Sequence, residues 1–219
     1  MRIFIFLLSV LVSFAPLEGL AKEPANLADA KSAIIKYHDS GEYTRDIEKV
    51  IADAMRYLKL SLEKGIPKGK KPAIVIDVDE TALSNYAHMQ EMHFGGSDEQ
   101  VKEARTKGYD PVIKPTLALF RFAKSKKVAI FFLSGRQENV RELTANNLQA
   151  AGYYNWDGLI LRDAAHANDS AVQYKSAMRT KIAANGYHII LSLGDQKSDL
   201  QGAYVGKGFK LPGPFYLIK

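Results

Sequence analysis

Two aspartates, Asp77 and Asp79, stand two residues apart where the apolar run Ala73-Ile74-Val75-Ile76 stops. Three of the four residues in that run are β-branched, and nothing polar interrupts it. Such a run reads as a strand buried on both faces. In an open α/β sheet, ligands bind at the carboxyl ends of the strands. Two carboxylates at such a place cost stability unless something compensates them. Their chemistry offers a reason: Asp77 as a nucleophile toward phosphorus, Asp79 as its acid/base partner.

Two further apolar runs end in comparable punctuation. The run 128–133 leads into Ser134-Gly135-Arg136, and the run 188–193 into Gly194-Asp195. If these are parallel strands, the two carboxylates, a hydroxyl beside a glycine and a further carboxylate share one sheet edge. Acids on such loops suit Mg²⁺, which takes oxygen ligands and keeps water and substrate phosphate. Phosphoryl transfer needs this combination of nucleophile, charge neutralisation and proton source.

The elements that would position these groups follow from periodicity. Residues 27–38 carry a loose helical pattern that stops near Gly41. In 47–62, Ile47, Val50, Ile51, Ala54, Met55, Leu58 and Leu62 recur at three- and four-residue steps, and Gly65-Ile66-Pro67 ends the helix. Helices are expected at 116–124, 138–151 and 172–185, with a short strand at 159–161 and a last one at 215–218. Strands alternating with helices predict an α/β fold, a Rossmann-like parallel sheet flanked by helices. Residues 86–115 break the alternation. They are rich in polar and aromatic residues, among them His88, His93 and Tyr109, and read as a small helical cap on the single domain 22–219.

The 219 residues include no cysteine and carry a net charge of +6. Without cysteine there can be no disulfide and no lipid-modified cysteine. The charges are interspersed, with no basic block interleaved with aromatics, which argues against a nucleic-acid polymer as partner. Met1-Arg2, an apolar stretch over 3–14 and Gly19-Leu20-Ala21 form the pattern of a secretory signal peptide over 1–21, with cleavage after Ala21. The apolar stretch is too short to span a bilayer well. The mature chain is therefore expected to be exported, periplasmic or secreted, with no stable membrane anchor.

At this point the sequence resembles a phosphatase of the haloacid dehalogenase superfamily, and more closely the class B/plant-type acid phosphatases, relatives of the vegetative storage proteins. The resemblance is carried by Asp77-Val78-Asp79-Glu80-Thr81-Ala82-Leu83-Ser84-Asn85, by Phe132-Leu133-Ser134-Gly135-Arg136, by Tyr174-Lys175-Ser176, and by Gly194-Asp195-Gln196 with Ser198-Asp199-Leu200. It implies Mg-dependent hydrolysis of small-molecule phosphate monoesters through an aspartyl-phosphate. Asp77 would attack, and Asp79 would protonate the leaving alcohol and then activate water. Asp77, the backbone carbonyl of Asp79, and Asp195 would hold Mg²⁺. Ser134 and Lys175 would bind the phosphate, and Asp199 would be a further ligand or orient the metal's waters. Some storage-type relatives have lost the nucleophilic aspartate. Its presence here as Asp77 favours an enzyme over a storage or binding protein, while phosphotransfer to an alcohol other than water stays open beside hydrolysis.

Overall fold

A computed structural model describes residues 24–104 and 110–218. The segment 1–21 read as a signal peptide, and Tyr109, lie outside the described residues. Five strands, β1 (Lys71–Ile76), β2 (Ala129–Gln137), β3 (Gly158–Arg162), β4 (Tyr187–Gly194) and β5 (Lys207–Lys210), form one sheet. Their order is β3-β2-β1-β4-β5, and every pairing is parallel. β1 is central. Its neighbours β2 and β4 come from later chain on opposite sides, so the crevice beyond the carboxyl ends of β1 and β4 is the topological switch point at which such sheets bind ligands.

Seven helices accompany the sheet among the described residues: α1 (Leu27–Asp39), α2 (Glu42–Lys64), α3 (Tyr86–Glu91), α4 (Asp98–Ala104), α5 (Lys114–Ser125), α6 (Arg141–Ala150) and α7 (Ala171–Ala184). The period-two alternation of β1 sorts its neighbours. Ile74 and Ile76 belong to a core with Ile47, Ile51 and Leu58 of α2 and Leu119 and Phe120 of α5. Ala73 and Val75 belong to the opposite core with Tyr174, Met178 and Ile182 of α7. Each isoleucine so buried contributes about 1.5–3 kcal/mol. α7 starts cleanly because Ser170 and Gln173 form a reciprocal capping box. α5 carries Pro115 in its first turn, where the missing N–H costs nothing.

One expected strand is misplaced. Phe215-Tyr216-Leu217-Ile218 forms no strand, and the fifth strand is Lys-Gly-Phe-Lys at Lys207–Lys210. The apolar residues of 215–218 serve other surfaces: Phe215 packs against Tyr43 and Tyr86, with ring centroids 5.1 Å away in each case. β5 is a short edge strand, exposed or half-buried throughout, and so lacks the apolar run that marks an interior strand.

The expected cap segment holds α3 and α4. Tyr86 of α3 stacks on His38 of α1, with ring centroids 3.4 Å apart. The returning chain docks on the loop that follows β1. Ser84 donates its N–H to the carbonyl of Pro111 (2.9 Å), Ile113 donates to the carbonyl of Ala82 (3.0 Å), and Leu83 pairs antiparallel with Val112.

Candidate active site

Asp77 is held at the end of β1 by its own backbone, whose N–H donates to the carbonyl of Leu193 in β4 at 3.0 Å. The chain then turns sharply. The Val78 carbonyl accepts from Ala82 and Leu83, both at 2.9 Å, and Glu80 takes a left-handed conformation at φ 52°. The turn aims Asp77 and Asp79 into a cavity of about 280 Å³ that Lys175, Arg162, Gly135, Asp195, Gln196 and Tyr216 also line.

Around Asp77 the structure gathers three carboxylates and one ammonium. Lys175, early in α7, donates to Asp77 Oδ1 at 2.7 Å and to Asp199 Oδ1. Thr81 Oγ1 donates to Asp77 Oδ2 at 3.4 Å. Asp195 follows β4 directly, and Asp199 lies in the 3-10 turn Lys197–Leu200. The Asp199 carboxylate accepts from the Gln196 N–H at 2.8 Å, and Asp195 Oδ2 accepts from Gln196 Nε2 at 2.6 Å. Arg179, fully buried, donates to the carbonyls of Asp199 and Ala203, both at 2.9 Å, and to that of Gln201. It thereby fixes the loop that carries Asp199. Gly194 is required at the end of β4, because a Cβ there would collide with the Asp199 side chain.

The charges in this group do not balance. Burial pushes the Asp77 carboxyl up to about 7 from its ordinary 3.8, Lys175 pulls it back, and Asp199 and Asp79 push it further. Burial, followed by Asp77 and Asp199, also holds the Asp195 carboxyl well above its ordinary value. One carboxylate oxygen from each of Asp77, Asp195 and Asp199 lies within 4.8 Å of the others. Asp195 Oδ1 is buried with no hydrogen-bond partner. Buried, oxygen-only and short of positive charge, the set suits a hard divalent cation.

Asp79 belongs to a second buried network. Its Oδ1 accepts from Asn85 Nδ2 (2.8 Å), Arg136 Nη2 (2.7 Å) and Arg136 Nε (3.1 Å). Its Oδ2 takes longer contacts, from Arg136 Nε at 3.3 Å and Ser134 Oγ at 3.5 Å. Arg136 Nη2 also donates to Asp110 Oδ2 at 2.9 Å. Glu80 turns the other way, into the base of the turn. Its carboxylate accepts from Tyr43 Oη at 2.8 Å and from the Asn85 N–H, and burial pushes it up to about 7.

The residues singled out from the sequence thus fall into distinct places. Asp77, Asp195, Asp199 and Lys175 converge. Asp79 lines the same cavity but is gripped by Arg136. Ser134 is fully buried, with its hydroxyl between Asp79 and the N–H of Arg136 (3.1 Å), while the backbone beside it at Gly135 lines the cavity. His88 lies 3.2 Å from Asp110, and His93 is exposed on the turn after α3. Asp110, Arg179 and the inward role of Glu80 escape sequence reading. Arg136 and Gln196 each carry a signal, their places directly after Ser134-Gly135 and after Gly194-Asp195.

A family model described as HAD superfamily, subfamily IIIB (acid phosphatase), matches residues 17–219. The chain is 33% identical over 180 residues to Acid phosphatase 1 of Solanum lycopersicum, covering 80% of this chain and 69% of that protein. It is 34% identical over 190 residues to the Stem 28 kDa glycoprotein of Glycine max, covering 84% and 73%. It is 28% identical over 185 residues to Vegetative storage protein 1 of Arabidopsis thaliana, covering 82% and 66%. Among solved structures, the class C acid phosphatase from Bacillus anthracis superposes with a TM-score of 0.74 at 23% identity, covering 87% of this chain and 86% of that one, a likeness of fold.

Proposed function

Because the chain belongs to the acid phosphatases of HAD superfamily subfamily IIIB, we propose that it hydrolyses small-molecule phosphate monoesters by passing the phosphoryl group through Asp77. The observation that carries this reading is the setting of Asp77: buried at the switch point, facing a cavity, and flanked by Lys175 and two further carboxylates. An Asp77 oxygen attacks phosphorus in line, and the bond from phosphorus to the ester oxygen breaks. Asp79 gives its proton to that departing oxygen, so the alcohol leaves neutral. Water then attacks the phosphorus of the aspartyl-phosphate, Asp79 takes the water's proton, and the bond to Asp77 breaks to release phosphate. The proton returns to Asp79, so the cycle balances.

Lys175 orients Asp77 and pairs with the phosphoryl oxygens. Ser134 donates a hydrogen bond from its hydroxyl to one of those oxygens, in exchange for its 3.5 Å contact with Asp79. Asp77, Asp195 and the backbone carbonyl of Asp79 would hold Mg²⁺, with Asp199 as a further ligand or orienting its waters; bound there, the cation neutralises phosphoryl charge. Arg136 shares its one positive charge between Asp79 and Asp110. The segment 86–115 acts as the cap of a single domain that begins near residue 22. The mature chain is exported, periplasmic or secreted, and no helix among the described residues is long and apolar enough to cross a membrane.

The test is hydrolysis of an aryl phosphate by the mature chain with Mg²⁺ and with chelator, beside Asp77→Asn. Cation-dependent turnover lost in Asp77→Asn is expected. Equal turnover in both proteins contradicts the role of Asp77, and no turnover in the unmodified chain favours a storage or binding protein. Release of a phosphorylated acceptor when alcohols are added would identify phosphotransfer.

A further inference from the structure

Asp110 does not line the cavity and takes no part in the reaction as written, yet it is only 3% exposed. Burying a carboxylate is costly unless partners compensate it. Its Oδ2 accepts from Arg136 Nη2 at 2.9 Å and from Asn147 Nδ2 of α6 at 3.3 Å. His88 Nε2 of α3 lies 3.2 Å from Oδ1, at ion-pair distance without hydrogen-bond alignment. Burial raises the Asp110 carboxyl, and Arg136 opposes the rise.

We propose that Asp110 is a positioning residue, which through Arg136 fixes the orientation in which the Asp79 carboxylate meets the leaving oxygen. The geometry is that of a clamp. One guanidinium nitrogen, Nη2, bridges the two carboxylates, at 2.7 Å from Asp79 Oδ1 and 2.9 Å from Asp110 Oδ2. Nη1 reaches Thr144 Oγ1 at 3.4 Å. With both sides of its planar fork taken, the guanidinium has one orientation available, and the carboxylate it grips inherits that orientation. Without Asp110, a cation on a flexible stem beside an anionic substrate would be drawn toward the phosphoryl group and away from Asp79. Asp110 is itself fixed relative to Asp79, because Pro111, Val112 and Ile113, directly after it, pair with residues 82–84, three to five positions beyond Asp79. His88 adds a tie from α3, so the segment above the sheet and the acid/base carboxylate share one set of contacts.

The inference rests on the reading of Asp79 as the acid/base, and leaving-group dependence separates the two. Protonation matters for an alkoxide leaving group and hardly at all for dinitrophenolate. kcat/KM reports only steps up to departure of the alcohol, so later attack by water does not confuse it. The full mature chain, Asp110→Asn, His88→Gln and Asp79→Asn are compared on dinitrophenyl phosphate and on a simple alkyl phosphate, with thermal unfolding of each. Asp110→Asn is expected to lose about 10²-fold in kcat/KM on the alkyl ester and under about fivefold on the dinitrophenyl ester, with Asp79→Asn showing the same selectivity more strongly. His88→Gln is expected to lose about tenfold on the alkyl ester alone, and it carries the test if Asp110→Asn does not fold. Guanidinium in solution is expected to restore part of the alkyl-ester activity of Arg136→Ala, which a general loss of structure would not allow. Equal losses on both esters in Asp110→Asn, or in His88→Gln where Asp110→Asn does not fold, overturn the positioning role while selective losses in Asp79→Asn keep the acid/base reading. A flat response in Asp79→Asn overturns both.

Discussion

Replacing Lys175 by Met keeps the aliphatic stem and removes the ammonium that donates to Asp77 Oδ1 at 2.7 Å and to Asp199 Oδ1. Asp77, Asp195 and Asp199 then face one another with no cation among them. Two hydrogen bonds to charged groups, at about 1.5–3 kcal/mol each, bound the loss at roughly 3–6 kcal/mol. Removing one partner of a buried ion pair costs about 3–5 kcal/mol, so the expected loss in cation-free buffer near pH 8 is about 4 kcal/mol. For a chain of this size that is a fall in Tm of roughly 8–16 °C. The sign of the pH dependence follows from Asp77, whose carboxyl is raised in the fold to about 7 from 3.8. A raised carboxyl contributes stability that is fully present below 3.8 and lost as pH rises through about 7. Lys175 limits that loss, so the gap between wild type and variant should narrow as pH falls toward about 5, where protons replace the missing ammonium. Excess Mg²⁺ near pH 8 should raise the Tm of the variant more than that of the wild type. Calorimetry at both pH values, with chelator and with Mg²⁺, reads all of this. A variant within about 2 °C of wild type near pH 8 in chelator, or an equal Mg²⁺ shift in both proteins, would refute the charge reasoning.

Three further perturbations probe neighbouring parts of the site. Burial raises Glu80 to about 7 from 4.5, so the fold loses its contribution as pH rises through that window; Glu80→Gln should flatten the corresponding limb of the denaturant-stability profile by about 3 kcal/mol, and an unchanged profile would show that Glu80 does not titrate there. A Cβ at Gly194 would collide with Asp199, so Gly194→Ala should weaken Mg²⁺ binding measured by titration calorimetry by roughly 10–100-fold. Arg179→Met leaves the carbonyls of Asp199, Gln201 and Ala203 without their donor, and should lower stability by about 3–5 kcal/mol in urea unfolding, with a smaller loss contradicting the role assigned to this buried cation.

The sequence disclosed the parts of the molecule that follow from local pattern. β1, β2 and β4 are interior parallel strands, so they carry apolar runs, broken in 189–193 only by Ser192, that stop where the polar edge begins. Asp77, Asp195 and Lys175 were legible because each sits at a strand end or in a short motif. β5 was not, because an edge strand of Lys-Gly-Phe-Lys has no interior to announce it, while Phe215 belongs to an aromatic cluster and Tyr216 and Ile218 to the cavity wall. The Asp79–Arg136–Asp110 network was not legible either. Its members stand 57 and 26 positions apart in the chain, and arginine and aspartate at such separations are most often solvated. Only the fold makes them neighbours. Glu80 looked like part of a linear motif with Asp77 and Asp79, but the left-handed turn at its own backbone sends it inward to Tyr43.

Passage of the phosphoryl group through Asp77 leaves a covalent mark that can be read. Rapid acid quench during turnover of an aryl phosphate, followed by mass analysis of the peptide containing Asp77, tests it most directly. One phosphoryl mass on Asp77 is expected, forming faster than phosphate is released, requiring the divalent cation and absent from Asp77→Asn. An active enzyme that never carries that mass on Asp77, or carries it on another residue, would contradict it.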